Sequence, residues 1–274
     1  MKKMSYRKKT LLLVSVYTLF ILYVFIKGSM MSDDVFAIDF ANKLQAPSFK
    51  HIFGTDAYGR DMYLRTVKGL SLSIHIAFLA TFGSLVVSLI LALLLASCGK
   101  KMDSVITFLI DIFLSIPHMI FLIIISVAVG RGEKGVMIGI IATHWTYLTR
   151  ILRAEIKELK EADFLKVASK LGKSNWYIAV HHILPNLVPQ ILVGTVLLFP
   201  HAILHESGIS FLGFGLSLST PAIGIILAES MQYLTIGAWW LAFFPGLMLV
   251  LVVLAILGIG GQVNRMVDPY RYHL

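Results

Sequence analysis

Residues 168–186 read ASKLGKSNWYIAVHHILPN, and the tripeptide Gly172-Lys173-Ser174 within them is how a phosphate-binding P-loop ends. A P-loop requires G-x-x-x-x-G-K-[ST] between a strand and a helix, so that successive backbone N–H groups cradle the phosphates. The position five residues before Gly172 is Val167, where the motif needs glycine. Upstream, residues 154–171 space Ile156, Leu159, Leu165, Ala168 and Leu171 in a 3–4 rhythm among charges, which predicts an amphipathic helix and no strand. Gly172 then reads as the C-cap of that helix, a place that favours positive φ. A nucleotide site fails on both sequence and context.

The flanks of this stretch decide the class. Of 274 residues, 57% are hydrophobic and 14% charged, with a mean hydropathy of +0.82. A soluble domain has about 45–50% apolar and about 25% charged residues. About 20 apolar residues cross the hydrocarbon core, which predicts six spans near 10–26, 74–96, 105–129, 136–151, from Pro185 to 204, and 239–259. The first follows Lys2, Lys3, Arg7, Lys8 and Lys9 as a signal peptide would, but Lys27-Gly28-Ser29-Met30 offers no small-residue cleavage site. It therefore reads as a retained anchor. Residues 208–238 form an apolar connector broken by Gly and Pro, expected to dip into the membrane or line a cavity, where irregular backbone must be covered by protein or water. The expected class is an all-α polytopic membrane protein.

The net charge of +9 comes from 24 Lys and Arg spread over short connectors, a distribution that suits membrane orientation better than nucleic-acid binding. With both termini inside, segments 1–10, 98–103, 150–185 and 260–274 carry 16 of them and the other segments carry 8, as the positive-inside bias requires. Both termini are thus expected in the cytoplasm, with 28–70 external and 150–185 a basic internal segment. The single Cys98 excludes an internal disulfide or a cysteine-cluster metal site.

Four ordered motifs carry a resemblance. Ala168, Gly172, Leu184 and Pro185 match the spacing of the cytoplasmic E-A-A-x-x-x-G … L-P loop of ABC-importer permeases, with Lys166, Val167 and His182 replacing other pattern residues. FGTDAYGRDMYLR (residues 53–65) resembles the external G-T-D-x-x-G-R-D motif of the peptide and nickel branch of that family. SGISFLGFGLSLSTPAIG (207–224) resembles its S-F-L-G-x-G segment. FFPGLMLVLVVLAILGIGGQVNRMVDPY (243–270) resembles its last span and G-D-x-x-R-x-x-x-D-P tail, with Gly261 in place of the Asp.

The resemblance covers residues 50–270 and implies a type I ABC-importer permease fold. It divides the chain into an anchor and external segment (1–70), a transmembrane domain (71–262) with a coupling loop at 150–185, and a tail (263–274). It also implies a bacterial plasma-membrane location and a non-catalytic subunit. The implied partners are a second permease, two cytoplasmic ATPases that hold ATP and magnesium, and an external substrate-binding protein; the chain itself binds no cofactor. The loop residues Ala168, Gly172, Trp176, Tyr177, His182, Leu184 and Pro185 would then contact an ATPase. Trp176 and Tyr177 suit docking anchors or, equally, markers of the membrane boundary.

Ionisable residues inside spans mark functional candidates. They are Asp111 and His118 in span three, His144 in span four, and His201, His205 and Glu206 near the outer end of span five; His75 and Glu229 lie at span margins. His201 and His205 stand i, i+4 on one helix face beside Glu206, a set suited to transient contact with Ni²⁺, Co²⁺ or Zn²⁺. The alternative is that each histidine only satisfies a neighbouring carbonyl. Similarity of HAILHESGISFLGFG and THWTYLTRILR to nickel permeases makes nickel the preferred cargo, bare or chelated, with dipeptides or oligopeptides the alternative. Pro117 and Pro200 each remove a backbone hydrogen bond within a span and serve either a gate or an ordinary bend. The chain carries no H-E-x-x-H or G-x-S-x-G signature. An intramembrane enzyme built on Asp111, His144, His201 or Glu206 would leave segment 150–185 unexplained, and the two inverted halves of a secondary transporter are not apparent.

Overall fold

The computed structural model describes residues 6–32 and 37–267, which leaves Lys2, Lys3 and the tail dipeptide Asp268-Pro269 outside it. Its helices are α1 (Tyr6–Ser29), α2 (Met62–Ser97), α3 (Gly99–Ser115), α4 (His118–Val129), α5 (Glu133–Glu161), α6 (Asp163–Lys170), α7 (Asn175–Ile178), α8 (Leu184–Phe211), α9 (Ile223–Met231) and α10 (Trp240–Val267). Among the described residues there is no strand, only the isolated bridge between Thr55 and Asp61. A helix closes every backbone hydrogen bond within itself, which hydrocarbon demands.

Among the described residues, four helical stretches are long and apolar enough to cross a membrane: Thr10–Ser29, Met62–Ser97, Val188–Phe211 and Trp240–Met266. The pair α3–α4 meets the same test jointly, bent by 94°. The sequence predicts six spans; the remaining one, 136–151, lies inside α5, which falls short on apolarity. The reason is that α5 turns Thr143, His144, Thr146 and Thr149 into the protein, so its polar residues are buried against other helices and not against lipid.

Three further differences matter for the site. Pro117 breaks the third span outright: it lacks an N–H and forces Ile116 to an extended ψ of 133°. Pro200, in contrast, is absorbed within an uninterrupted α8. That helix runs past the expected end at 204 to Phe211, so His201 and His205 are interior to it. The single helix expected over 154–171 is divided at Ala162, whose ψ of 139° lets α6 fold back and bury Leu165 and Ala168.

Buried side chains of α1, α2, α4, α5, α8, α9 and α10 form one core through the middle of the bundle. A second core joins the C-terminal part of α2 to α3, α5, α6, α7 and the start of α8. Connector 208–238 turns at Gly213 (φ +80°) and re-enters as α9, whose Ile223, Ile225 and Ile226 are buried. Gly224 lets α9 lie against the α8 backbone, since a Cβ there would stand 2.2 Å from the Ser207 carbonyl oxygen.

At the end carrying α6 and α7, Lys160 donates to the Leu95 carbonyl at 2.7 Å, completing the C-terminus of α2 as a cation should. Burial holds its ammonium pKa below the usual lysine range. Arg153 grips Asp103 with two hydrogen bonds of 2.5 and 2.9 Å, tying α3 to α5. Replacing Asp103 by Asn is expected to lower stability by about 1 kcal/mol, the upper range for a partly exposed pair. A denaturant titration in detergent showing no loss would make that tie ornamental.

Candidate functional site

Three histidines from three helices converge. His118 opens α4 directly after the Pro117 break, His144 sits midway along α5, and His205 lies inside α8. One ligand nitrogen from each falls within 4.8 Å of the others. The rings meet edge to face, with centroids 5.0 Å apart for His118–His144, 4.4 Å for His118–His205 and 5.1 Å for His144–His205. His144 is buried and the other two are half-buried.

The hydrogen bonds assign one tautomer. His144 Nδ1 lies 3.0 Å from the Ile140 carbonyl oxygen, which can only accept, so Nδ1 carries the proton and Nε2 the lone pair. His118 Nε2 and His205 Nδ1 are buried with no hydrogen-bond partner. Buried polar atoms of this kind are normally satisfied.

The pair expected from the i, i+4 spacing is only partly in this group. His201 is exposed, its ring centroid 6.5 Å from that of His205 and 6.4 Å from the exposed Tyr147. Glu206 is fully buried and accepts from Ser207 and Ser210 of its own helix, at 3.3 and 3.0 Å. It holds the α8 end together and stands outside the histidine group. Asp111 and His75 are exposed on helix surfaces. His118, a candidate from its place inside a span, is not paired with His205 by spacing, because the two lie on different helices.

A small-residue device brings α4 to α5. A Cβ on Gly135 would stand 2.0 Å from the Gly130 carbonyl oxygen, and one on Gly139 would stand 3.2 Å from that of Leu122. GVMIG at 135–139 is therefore a G-x-x-x-G face used for close helix approach.

The loop residues form a second constellation. Gly172, at φ +80°, ends α6 in a Schellman arrangement: Lys173 N–H reaches the Ala168 carbonyl and Gly172 N–H that of Ser169. Ser174 caps α7 by accepting from Tyr177 N–H. Trp176 is exposed, whereas Tyr177 stacks on His181 at 4.2 Å and lies 5.9 Å from the His182 ring. A π-helical turn, Ala179–Ile183, leads into Leu184 and Pro185 in the first turn of α8, where proline costs no hydrogen bond.

At the opposite end, residues 53–65 become a wired turn. Asp56 accepts from the backbone N–H of Tyr58 and Arg60, from Arg60 Nε, and from Arg65 at 2.7 Å. Arg65 also reaches Glu229 at 2.8 Å, fastening α2 to α9. Asp61 caps α2 through Tyr63 and Leu64 and pairs with His51.

Comparison with known proteins fits this architecture. Residues 64–269 match the family of binding-protein-dependent transport system inner membrane components. The chain belongs to that family. It is a membrane permease component of an ABC importer, and ATP hydrolysis belongs to a separate subunit. The dipeptide transport system permease of Alkalihalophilus pseudofirmus is 32% identical over 268 residues, 98% of this chain and 88% of that protein. A Brucella suis protein named for peptide transport is 32% identical over 227 residues, 83% of this chain and 76% of its own length. A chain of the inward-facing MetNI methionine ABC transporter superposes with a TM-score of 0.62 at 20% identity, covering 76% of this permease and 98% of that chain. That likeness supports the fold alone.

Proposed function

We propose that this permease is one of two membrane subunits lining the path of an ATP-driven importer in a bacterial inner membrane, with both termini and the α6–α7 end in the cytoplasm. Its partners are a second permease, two ATPases that bind ATP and magnesium, and an external substrate-binding protein. The α6–α7 end is the ATPase contact. One observation carries that assignment: Phe164, Val167, Leu171 and Trp176 form an exposed apolar set on a short, capped, basic element, with Leu171 74% and Trp176 59% exposed. Large aromatics at interface centres supply a disproportionate share of binding energy. Gly172 turns the chain between the two helices, and Pro185 returns it to the bundle.

A peptide is the first reading for cargo, because the similar permeases are named for dipeptide and peptide transport. Nickel or a related divalent metal, preferred from the sequence, becomes the second reading, favoured by the convergence of His118, His144 and His205.

Replacing Leu171 and Trp176 together by alanine is expected to weaken association with the ATPase about 30-fold, equivalent to roughly 2 kcal/mol. Co-purification with the host's ATPase, followed by ATP-dependent uptake in proteoliposomes, measures this. Undiminished association would remove α6–α7 from the contact; ATP-independent uptake by the native protein would overturn the importer reading. Uptake of a labelled dipeptide but not of ⁶³Ni²⁺ supports the first cargo reading, and the reverse supports the second.

A further inference from the structure

We propose that His118, His144 and His205 form a binding site for a divalent cation of borderline softness, of the Zn²⁺, Co²⁺ or Ni²⁺ class, at the junction of α4, α5 and α8. The proposal rests on the importer reading and deepens its metal form, replacing the sequence-based pair His201 and His205 by a set that spans three helices.

Two imidazole nitrogens at this junction are unsatisfied. His118 Nε2 and His205 Nδ1 are shielded from solvent and bonded to nothing, while their ring centroids stand 4.4 Å apart. Two such buried lone pairs or N–H groups are left without a compensating hydrogen bond, which is costly. A shared cation satisfies both at once. His144 brings a ligand nitrogen within 4.8 Å of theirs, and donation of its Nδ1–H to the Ile140 carbonyl fixes the tautomer and leaves the lone pair on Nε2. A ligating histidine is commonly oriented by such a backbone carbonyl. Thr143 Oγ1, 3.2 Å from the same Nδ1, adds a second contact on the side away from Nε2.

Ligand chemistry selects the cation. Neutral imidazoles suit zinc, nickel, cobalt and copper, whereas magnesium and calcium require oxygen ligands. The Glu206 carboxylate is engaged by Ser207 and Ser210 and stands outside the group, which offers imidazole nitrogen alone. Three nitrogens at about 2.0–2.1 Å leave a fourth position open, as in zinc sites that exchange ligands. The nitrogens, now within 4.8 Å of each other, would close by up to about 1.5 Å through side-chain rotation to reach that geometry. His201, its ring 6.5 Å from that of His205, is exposed, as is Tyr147 beside it. A three-nitrogen set with a vacant position leaves room for water or for a ligand carried by the cargo.

The site also has a mechanical consequence. His118 is the first residue after the 94° break between α3 and α4, so an ion bridging it to α5 and α8 would lock the direction of α4.

The test uses the full-length permease in lipid nanodiscs, titrated with Co²⁺, whose ligand-field absorption reports nitrogen coordination. The expected result is one Co²⁺ per chain with a tetrahedral or five-coordinate spectrum. His118→Asn and His205→Asn are each expected to weaken binding by at least about 100-fold, since losing a ligand costs more than the 10–100-fold of losing a ligand's outer partner; His201→Asn and a His181→Asn, His182→Asn double variant leave it unchanged. Absence of stoichiometric binding to the native chain overturns the proposal, as does binding that survives loss of His118 and His205 or follows His181 and His182. Should one variant fail to fold, the other, which sits on a different helix, decides the assignment. ATPase association measured on the same preparations keeps the two ideas apart. Association without Co²⁺ binding removes the site and leaves the importer; Co²⁺ binding without association does the opposite.

Discussion

Replacing Asp56 by alanine is expected to cost roughly 3–5 kcal/mol of stability, the range for removing one partner from a buried ion pair. Asp56 and Arg65 have side chains only 7% and 6% exposed, 2.7 Å apart. Without the carboxylate, Arg65 retains Glu229 at 2.8 Å, but Glu229 is 31% exposed and shared with Arg60 at 3.9 Å. The backbone N–H groups of Tyr58 and Arg60 lose their acceptor as well. Because this cluster fastens residues 53–65 to α9, the loss spreads from a surface turn to the helix packing at that end. Chemical unfolding of the purified permease in detergent measures it. Adding Arg65→Met to Asp56→Ala should recover part of the loss by removing a buried cation left with only the partly exposed Glu229, and a strictly additive second loss would show that the two residues do not act as a pair.

Gly135→Val is the second large effect. Overpacking a well-filled interior costs roughly 1–3 kcal/mol, and this site should exceed that range because the obstacle is backbone. The new Cβ would stand 2.0 Å from the Gly130 carbonyl oxygen and 2.6 Å from that of Ser126, neither of which can rotate away. The α4–α5 connector must open, and His118 moves away from His144 with it. Gly139→Ala, whose Cβ would meet the Leu122 carbonyl oxygen at 3.2 Å, should do less harm. Folded yield and unfolding midpoint report the difference; equal behaviour of the two variants would show that the close approach at Gly135 carries no weight.

Much of the fold follows from short-range patterns. The helices of Thr10–Ser29 and Trp240–Met266 coincide with apolar runs, because spanning length is imposed by the bilayer and not by neighbours; that of Met62–Ser97 contains the run 74–96 but starts twelve residues before it, in the segment expected to be external. Gly172 as a helix stop is equally local: positive φ is cheap for glycine alone, and α6 ends there. The break at Ala162 was not legible. Residues 154–171 keep helical periodicity through it, and the chain bends because Leu165 and Ala168 gain a place in the core shared with Ile156. The continuation of α8 to Phe211 was hidden for the converse reason. Glu206 and its serines look like a span end by composition, yet they satisfy each other inside the protein.

The candidate site divides in the same way. Histidines within apolar spans single themselves out, since an ionisable group there is costly without a partner, and periodicity places His201 and His205 on one face of α8. Periodicity fixes a residue's direction about its own helix but not how that helix is rotated against the next. Which histidines meet was therefore settled by the tertiary structure. Pro117 swings α4 through 94°, Gly135 and Gly139 bring it onto α5, and His118 completes a group from which His201 is left out. The sequence alone determined a helical membrane permease, through run length and motif spacing; long-range packing alone chose the three nitrogens that face one another.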